Sequence, residues 1–468
     1  MLKLSYKVKM DWHKKLILAS IIIRVSLLFL MPISFLHDAL MRFIPNSFQI
    51  LAGDFSFFTP PLFMLIMAVE NLFFSGWLLE ISWKLISFAF FILTLLLLPK
   101  LYSIWNLKNR EKTIIAALFL FSTMSLVFGA SIMMETLVLF FTIALFVAIE
   151  KTSRWQYFLV ALLSAMLLYT KQTAYFILAG FFLYVLVKKI PKKQKFFIIL
   201  AIFIGFLLFA PWMIKNYVAD TPTLAGWSIG EIFKNTVNNF SEFNFLEIFK
   251  DLYYWFWMIQ SFENVRFAGI LSFLAIVYQI SFLFITAILS FGILAGIIKF
   301  RKDYWRYYLL IIPIFVVALI FGVFFPSPSD FGRYLFSFHI LFYLFAARFI
   351  ESIKEKSIKR LFYIVIAIFV LLSIITAYGM VLHVADREKE VNGIIEKLDK
   401  NAVVVSDDLY FLRNYEYVFN KLISLDRERL SKEESGVEQE NLVYETESFQ
   451  LFFKEDRYYV YRKTQEVG

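Results

Sequence analysis

The chain contains no cysteine, which excludes a structural disulfide, a zinc–thiolate centre and a cysteine nucleophile. Charge is also scarce: Asp, Glu, Lys and Arg make up 18% of the 468 residues, against 60% hydrophobic residues. A soluble protein of this length cannot bury so large an apolar fraction, whereas a membrane protein leaves much of it facing lipid. The sequence has no glycine-rich phosphate loop and no internal repeat of the kind that builds inverted-repeat transporters. The formal net charge of +10 does not point to nucleic acid, because the basic residues fall in short clusters between apolar runs rather than along a stripe. What the chain has in abundance is Phe (58) and Tyr (24), suited to lipid-facing and interfacial surfaces.

Apolar stretches near the spanning length of about 20 residues recur. Candidate spans lie near 15–33, 81–100, 112–129, 134–150, 157–170, 173–187, 196–213, 268–298, 307–325, 333–350 and 360–381, about eleven in all. The first is spanning-length and has no small-residue cleavage site, so it reads as a retained helix rather than a removed signal. If the N-terminus, with Lys3, Lys7, Lys9, Lys14 and Lys15, is cytoplasmic, every second gap should be basic. Those gaps hold Lys100, Lys108, Arg110 and Lys112; Lys151 and Arg154; Lys188, Lys189, Lys192, Lys193 and Lys195; Lys299, Arg301, Lys302 and Arg306; and Lys354, Lys356, Lys359 and Arg360. The other gaps are poor in Lys and Arg, which sets the orientation. Outer loops then cover 34–80 and 214–266, and the C-terminus is also outside.

Residues 384–468 differ in character. REKEVNGIIEKLDK reads as an amphipathic helix, NAVVVSDD as a strand, LYFLRNYEYVF as a helix, LISL as a strand, and FQLFFKED with RYYVYRK as a hairpin. RERLSKEESGVEQEN reads as an exposed connection. The expected architecture is an all-α polytopic membrane domain over 1–383, followed by a small soluble α/β domain over 384–468.

The polar residues that need explaining sit at the outer ends of spans. Asp38 follows the first span, where a partly shielded carboxylate can act as a general base toward a hydroxyl; the plainer reading is a helix cap paired with Arg42. His37 could assist or be structural. Asp54 follows Gly53 in a turn, where Asp is common for local hydrogen-bonding reasons. Pro60-Pro61 reads as a helix start with Thr59 as its N-cap. Glu135 opens the fourth span, a costly depth for an acid unless it is paired, functional or snorkelling. Lys171 and Gln172 interrupt an apolar hairpin on the side that should lack lysine, so Lys171 needs an anion, either a lipid phosphate or a side chain such as Glu135. Arg333 and Tyr334 enter a span from outside; arginine's planar fork suits phosphate, and pairing with Asp330 is the alternative. The aromatic run YYWFWMIQSF could stack on sugars, but most of it reads as an interfacial belt, and Asn239-Phe240-Ser241 matches a weakly specific glycosylation sequon.

Several pieces together resemble the GT-C membrane glycosyltransferases, in particular the branch of protein O-mannosyltransferases and lipid A aminoarabinose transferases. The resemblance is carried by the acid after the first helix, Gly53 and Pro-Pro-Leu at 60–62, the MMETLVLFF acid, LLYTKQTAYF, the PWMIKNY helix end and a late RYLF. It covers nearly the whole chain, and its specificity lies in the order and sidedness of loose motifs. It implies transfer of a sugar from a polyprenyl-phosphate donor to an acceptor at the outer membrane face, with inversion. Asp38 matches the first-loop acid, Glu135 the second acid, and Lys171 and Arg333 the cations near the lipid phosphate. The sequence departs from the pattern at Ala39 and Phe43, where a second acid and a tyrosine are usual; this leaves little support for a bound divalent metal. It departs again at Pro45 and at Lys215, where arginine is expected.

Two further classes compete. A transporter or flippase of a lipid-linked or anionic substrate should place its polar residues near the bilayer midplane and in broken helices, whereas here they gather at one face. A polymerase or ligase of lipid-linked glycans differs mainly in donor size. The expected partners are membrane lipids, a polyprenyl-phosphate-linked sugar and a protein, lipid or glycan acceptor.

Overall fold

The computed structural model describes residues 11–32, 39–55, 57, 59–218, 253, 256–257, 272–324, 332–395, 403–406, 442–445, 449–455 and 458–463. The chain divides into two compact units: Met1–Phe29 with Asn46–Met380, and Leu30–Pro45 with Val381–Gly468.

The first unit is a helix bundle. Its elements are α1 (Trp12–Leu30), α2 (Ile44–Leu51), α3 (Leu62–Asn71), α4 (Gly76–Ile104), α5 (Asn109–Phe121), α6 (Thr123–Phe128), α7 (Glu135–Glu150), α8 (Gln156–Thr170), α9 (Ala174–Val187), α10 (Lys192–Val218), α11 (Ser272–Lys299), α12 (Arg301–Phe324), a 3-10 turn (Gly332–Phe338), α13 (His339–Ser352) and α14 (Lys356–Ile395). Among the described residues, five helices are long and apolar enough to cross a membrane: α4 and α10, and the segments Val277–Lys299, Leu335–Ser352 and Lys356–Ala385 of the later chain. Helices α3, α8 and α9 are apolar but shorter.

The core is formed by α4 against α7, α7 against α8, α8 against α10, α9 against α12, α5 against α13 and α11 against α13. Small residues allow two of these crossings. A Cβ on Gly180 of α9 would lie 2.5 Å from the Leu310 carbonyl oxygen of α12, and one on Gly296 of α11 would strike the Phe345 carbonyl of α13. Backbones that approach this closely exclude any side chain, as is common where membrane helices pack.

One end of the bundle is tied by ion pairs. Arg348 reaches Glu111 at 2.8 Å and donates to the Trp105 carbonyl at 2.7 Å, while Lys188 pairs with Glu150 at 2.9 Å. These residues close the α4–α5, α7–α8 and α9–α10 connections.

The third apolar stretch, expected to be one span over 112–129, is broken at Ser122 into α5 and α6. Ser122 takes an extended backbone (φ −58°, ψ 140°), and its hydroxyl accepts from the Ser125 amide. Arg24 of α1 fills the gap. It is fully buried, donates to the Leu120 carbonyl and to Ser125 Oγ, each at 2.7 Å, and lies 3.8 Å from the Phe91 ring. A carbonyl freed by a helix break needs a donor where water is absent, and a cation at a helix C-terminus also meets the dipole favourably.

Three other local expectations are corrected. Pro61, not Thr59, holds the N-cap position of α3, and no side-chain hydrogen bond caps it. The aromatic run is not a lipid-facing belt at Trp257: this side chain is 1% exposed, donates to Ser290 Oγ at 2.9 Å and packs edge-on against Phe369. The last span continues without a break into the first part of the amphipathic segment, as one 40-residue helix, α14, that ends at Ile395; the rest of that segment lies outside the described residues.

In the second unit, Ala39–Phe43 forms a π-helical turn. A four-stranded sheet in the order β1-β4-β3-β2 is built from β1 (Val403–Ser406), β2 (Leu442–Glu445), β3 (Phe449–Glu455) and β4 (Tyr458–Lys463). The FQLFFKED and RYYVYRK segments pair antiparallel, with Leu451 opposite Tyr461, and β1 lies parallel to β4. β2 had no counterpart in the sequence reading. LISL and LYFLRNYEYVF lie outside the described residues.

Candidate active site

Glu135 is the first residue of α7 and Lys171 immediately follows α8. The two helices form an antiparallel hairpin, so its far end brings a helix start and a helix finish together. There Lys171 Nζ lies 2.5 Å from Glu135 Oε1, with side-chain exposures of 13% and 4%. Neither charge fits its own helix end by accident. A carboxylate at an N-terminus and an ammonium at a C-terminus each complement the local dipole, and the pair neutralises what remains. Lys171 has an extended backbone (φ −155°, ψ 142°), which turns the chain out of α8 and into α9. Gln172 lies beside it in the same turn and is half-buried.

The approach to Glu135 is fixed from a neighbouring helix. Ser87 of α4 donates to the Met133 carbonyl at 2.8 Å and accepts from the Met133 amide at 3.1 Å. One hydroxyl thus holds both backbone polar groups of a single residue, two positions before the acid. Upstream, Gly129 ends α6 against Arg24: a Cβ there would lie 2.8 Å from Arg24 Nε. The Arg24 cluster and the acid are therefore joined by one short, pinned segment, Gly129–Met134.

Lys215, in the last turn of α10, is engaged by the loop before α3. Its ammonium donates to the carbonyls of Phe55 and of Phe57, the latter at 3.3 Å, and to Asn216 Oδ1 at 3.2 Å, and lies 4.5 Å from the Trp212 ring centroid. Asp54 is exposed and within electrostatic reach of Lys215. Lys215 therefore staples the 54–57 loop to α10 through backbone carbonyls, a role that a basic residue at this helix end did not by itself reveal.

Arg42 is exposed in the π-helical turn of the second unit. His37 and Asp38 lie outside the described residues. Arg333 and Tyr334 fall in the 3-10 turn before α13, and that turn packs against α7, the helix that Glu135 opens. Among the described residues, no three His, Asp or Glu side chains gather as a metal site would require. Sequence reasoning missed Arg24 and Ser87. A single Arg within IIIRVSLL was a signal; a serine in a span was not.

One polar group outside the spans is strongly shifted. Burial raises the Glu70 carboxyl of α3 to about 6, opposed by a hydrogen bond with Ser82.

No protein-family model and no curated protein matches the chain. Its three-dimensional fold does match. The chain is similar to ArnT from Cupriavidus metallidurans bound to undecaprenyl phosphate, with a TM-score of 0.53 and 11% identity over 91% of this chain and 88% of ArnT. The apo state of the same protein gives 0.51 and 11% over 90% and 87%. ArnT is a lipid A aminoarabinose transferase of the GT-C fold, and about nine-tenths of this chain matches that fold.

Proposed function

We propose that the protein is a membrane glycosyltransferase that moves a sugar from a polyprenyl-phosphate-linked donor to an acceptor at the extracytoplasmic face, with inversion. The observation that carries this reading is the nearly buried Glu135–Lys171 pair at 2.5 Å, in a fold similar to that of a protein crystallised with undecaprenyl phosphate. The lipid phosphate is the leaving group, so a cation beside it stabilises the charge that develops as the glycosidic bond breaks. Lys171 supplies that cation, and Glu135 fixes the direction of its ammonium. Arg333, on the turn packed against α7, is the second cation. Asp38 takes the acceptor hydroxyl's proton as that oxygen attacks the anomeric carbon from the face opposite the phosphate. His37, Arg42, Asp54, Gln172, Lys215 and Tyr334 complete the proposed substrate-binding set. The eleven-span topology, with a cytoplasmic N-terminus and an extracytoplasmic α/β domain over 384–468 in the cell membrane, belongs to the same reading.

The test is a transfer assay with purified protein, polyprenyl-phosphate sugars and a crude acceptor extract, run beside Asp38→Asn and Lys171→Met. Label leaving the lipid in a manner that needs Asp38, and that needs Lys171 when the variant is assayed below its melting temperature and shown to be folded, supports the proposal. Absence of transfer from every donor by folded protein favours a transporter or flippase. Transfer of lipid-linked oligosaccharides only would identify a polymerase or ligase.

A further inference from the structure

At the end of the α7–α8 hairpin opposite the Glu135–Lys171 pair, the chain builds a second polar feature that the proposed chemistry does not use. The α7–α8 connection and the α9–α10 connection enclose a cleft of about 680 Å³, lined among others by Thr152, Ser153, Arg154, Tyr157, Lys193 and Phe197. Its floor is constructed rather than accidental. Gln156, 3% exposed, donates to the Ala148 and Ile149 carbonyls at 3.1 and 3.2 Å and accepts from Gln194 at 3.3 Å. One side chain thus joins the end of α7, the start of α8 and the start of α10.

The cations around this cleft divide into two groups. Lys188 is held by Glu150 at 2.9 Å and by the Ile149 carbonyl at 2.8 Å, and Lys195 caps the Leu186 carbonyl at 2.5 Å. Those charges serve the protein itself. Arg154 and Lys193 line the cleft, are exposed, and have no hydrogen-bond or ion-pair partner among the described residues. Two hydroxyls, Thr152 and Ser153, stand in the same wall, and the 15-residue α8 and 27-residue α10 both begin there. Helix starts add partial positive charge to a site that already carries two cations. Next to this polar corner the lining turns apolar: Tyr157 and Phe197 lie 5.4 Å apart, both exposed, and Phe196 beside them is 61% exposed.

An open basic cleft that borders an exposed aromatic surface matches a molecule with an anionic head and an apolar tail. We propose that this cleft binds the headgroup of an anionic phospholipid, with Arg154 and Lys193 on the phosphodiester, Thr152 and Ser153 donating to its oxygens, and the acyl chains along Tyr157 and Phe197. Basic pockets between membrane helices on the cytoplasmic side recognise such headgroups, and arginine's planar fork adds directionality that a lone lysine lacks. The proposal rests on the membrane reading of the helices and is independent of glycosyl transfer.

The experiment uses the full-length protein in nanodiscs containing phosphatidylglycerol or phosphatidylcholine, with retained lipid counted by native mass spectrometry after release. Wild type should retain phosphatidylglycerol and not phosphatidylcholine. Arg154→Ala with Lys193→Ala should weaken that retention about tenfold or more. Arg301→Ala with Lys302→Ala, which removes the same charge from exposed positions at the α11–α12 connection, should leave it unchanged. Equal loss in both double variants would reduce the effect to general attraction and overturn the site. Equal retention of phosphatidylcholine, or no retained lipid in wild type, would also overturn it. Full displacement by millimolar glycerol 3-phosphate would reassign the cleft to a soluble phosphoester.

Discussion

Lys171 Nζ and Glu135 Oε1 meet at 2.5 Å because two antiparallel helices present opposite dipole ends at one turn. Removal of either partner leaves a nearly buried charge without its complement, which costs about 3–5 kcal/mol. Glu135→Gln and Lys171→Met should each lower thermal stability strongly. The double variant should lose much less than the sum, as coupled neighbours do. Strict additivity in a thermal-unfolding cycle would mean that the pair contributes no coupling.

The proposed base has a different signature. Asp38→Asn keeps size and shape while removing the proton acceptor, so transfer should fall by about 10²–10⁴-fold with the melting temperature unchanged. Donor binding, followed by titration with a fluorescent polyprenyl phosphate, should survive. Undiminished turnover in the folded variant would remove Asp38 from the mechanism.

Gly129 is required because Arg24 passes so close to it. Gly129→Ala should destabilise by about 1–3 kcal/mol, the usual cost of forcing an extra carbon into a packed interior. Most of that cost should vanish in an Arg24→Leu background, where the guanidinium no longer occupies the space. A cycle of four melting curves distinguishes this from a cost set only by the Ser125 carbonyl, 3.0 Å from the same Cβ position.

Glu70 makes stability depend on pH in a defined direction. Its carboxyl titrates near 4.5 when unfolded and at about 6 in the folded protein, so the fold binds its proton more tightly. The associated stability is fully present below pH 4.5 and is lost as pH rises through 6. Glu70→Gln removes the loss. At pH 7 its melting temperature should rise by about 1–2 °C, modest because the side chain is half-exposed, and at pH 4.5 the two proteins should coincide.

The helices of the bundle were legible because apolar runs and basic gaps alternate with few exceptions. Lys171 was legible as well: it breaks the alternation of basic and non-basic gaps in the sequence, and a lone lysine there asks for an anionic partner, which the structure shows in Glu135. Hydropathy cannot separate lipid-facing from core-facing apolar residues, so Trp257 read as belt although it is buried against Phe369. Nor can it see a break such as that at Ser122, where FLFSTMSLVF carries neither proline nor glycine and is uniformly compatible with one long helix. The ties made by Ser87 and Lys215 run to backbone carbonyls, and sequence does not say which carbonyl a side chain will find. Pro61 at the start of α3 shows the limit from the other direction: two prolines marked the helix start, but the N-cap falls on Pro61 itself and not on the threonine before them.

The Arg24 bridge also bears on how the chain is made. Residue 24 emerges from the ribosome 96 residues before the Leu120 carbonyl it must satisfy. Until α5 arrives, Arg24 reaches only the Ser20 carbonyl of its own helix; under the proposed eleven-span reading, in which α1 crosses the membrane, an arginine there costs about 2.5–3.5 kcal/mol for insertion on its own, and the broken α5–α6 segment is equally incomplete without α1. Each supplies what the other needs, so neither should settle independently. Truncated nascent chains ending before residue 109 should insert α1 inefficiently into microsomes, and chains extended past residue 130 should insert it fully; equal insertion at both lengths would show that α1 needs no later partner.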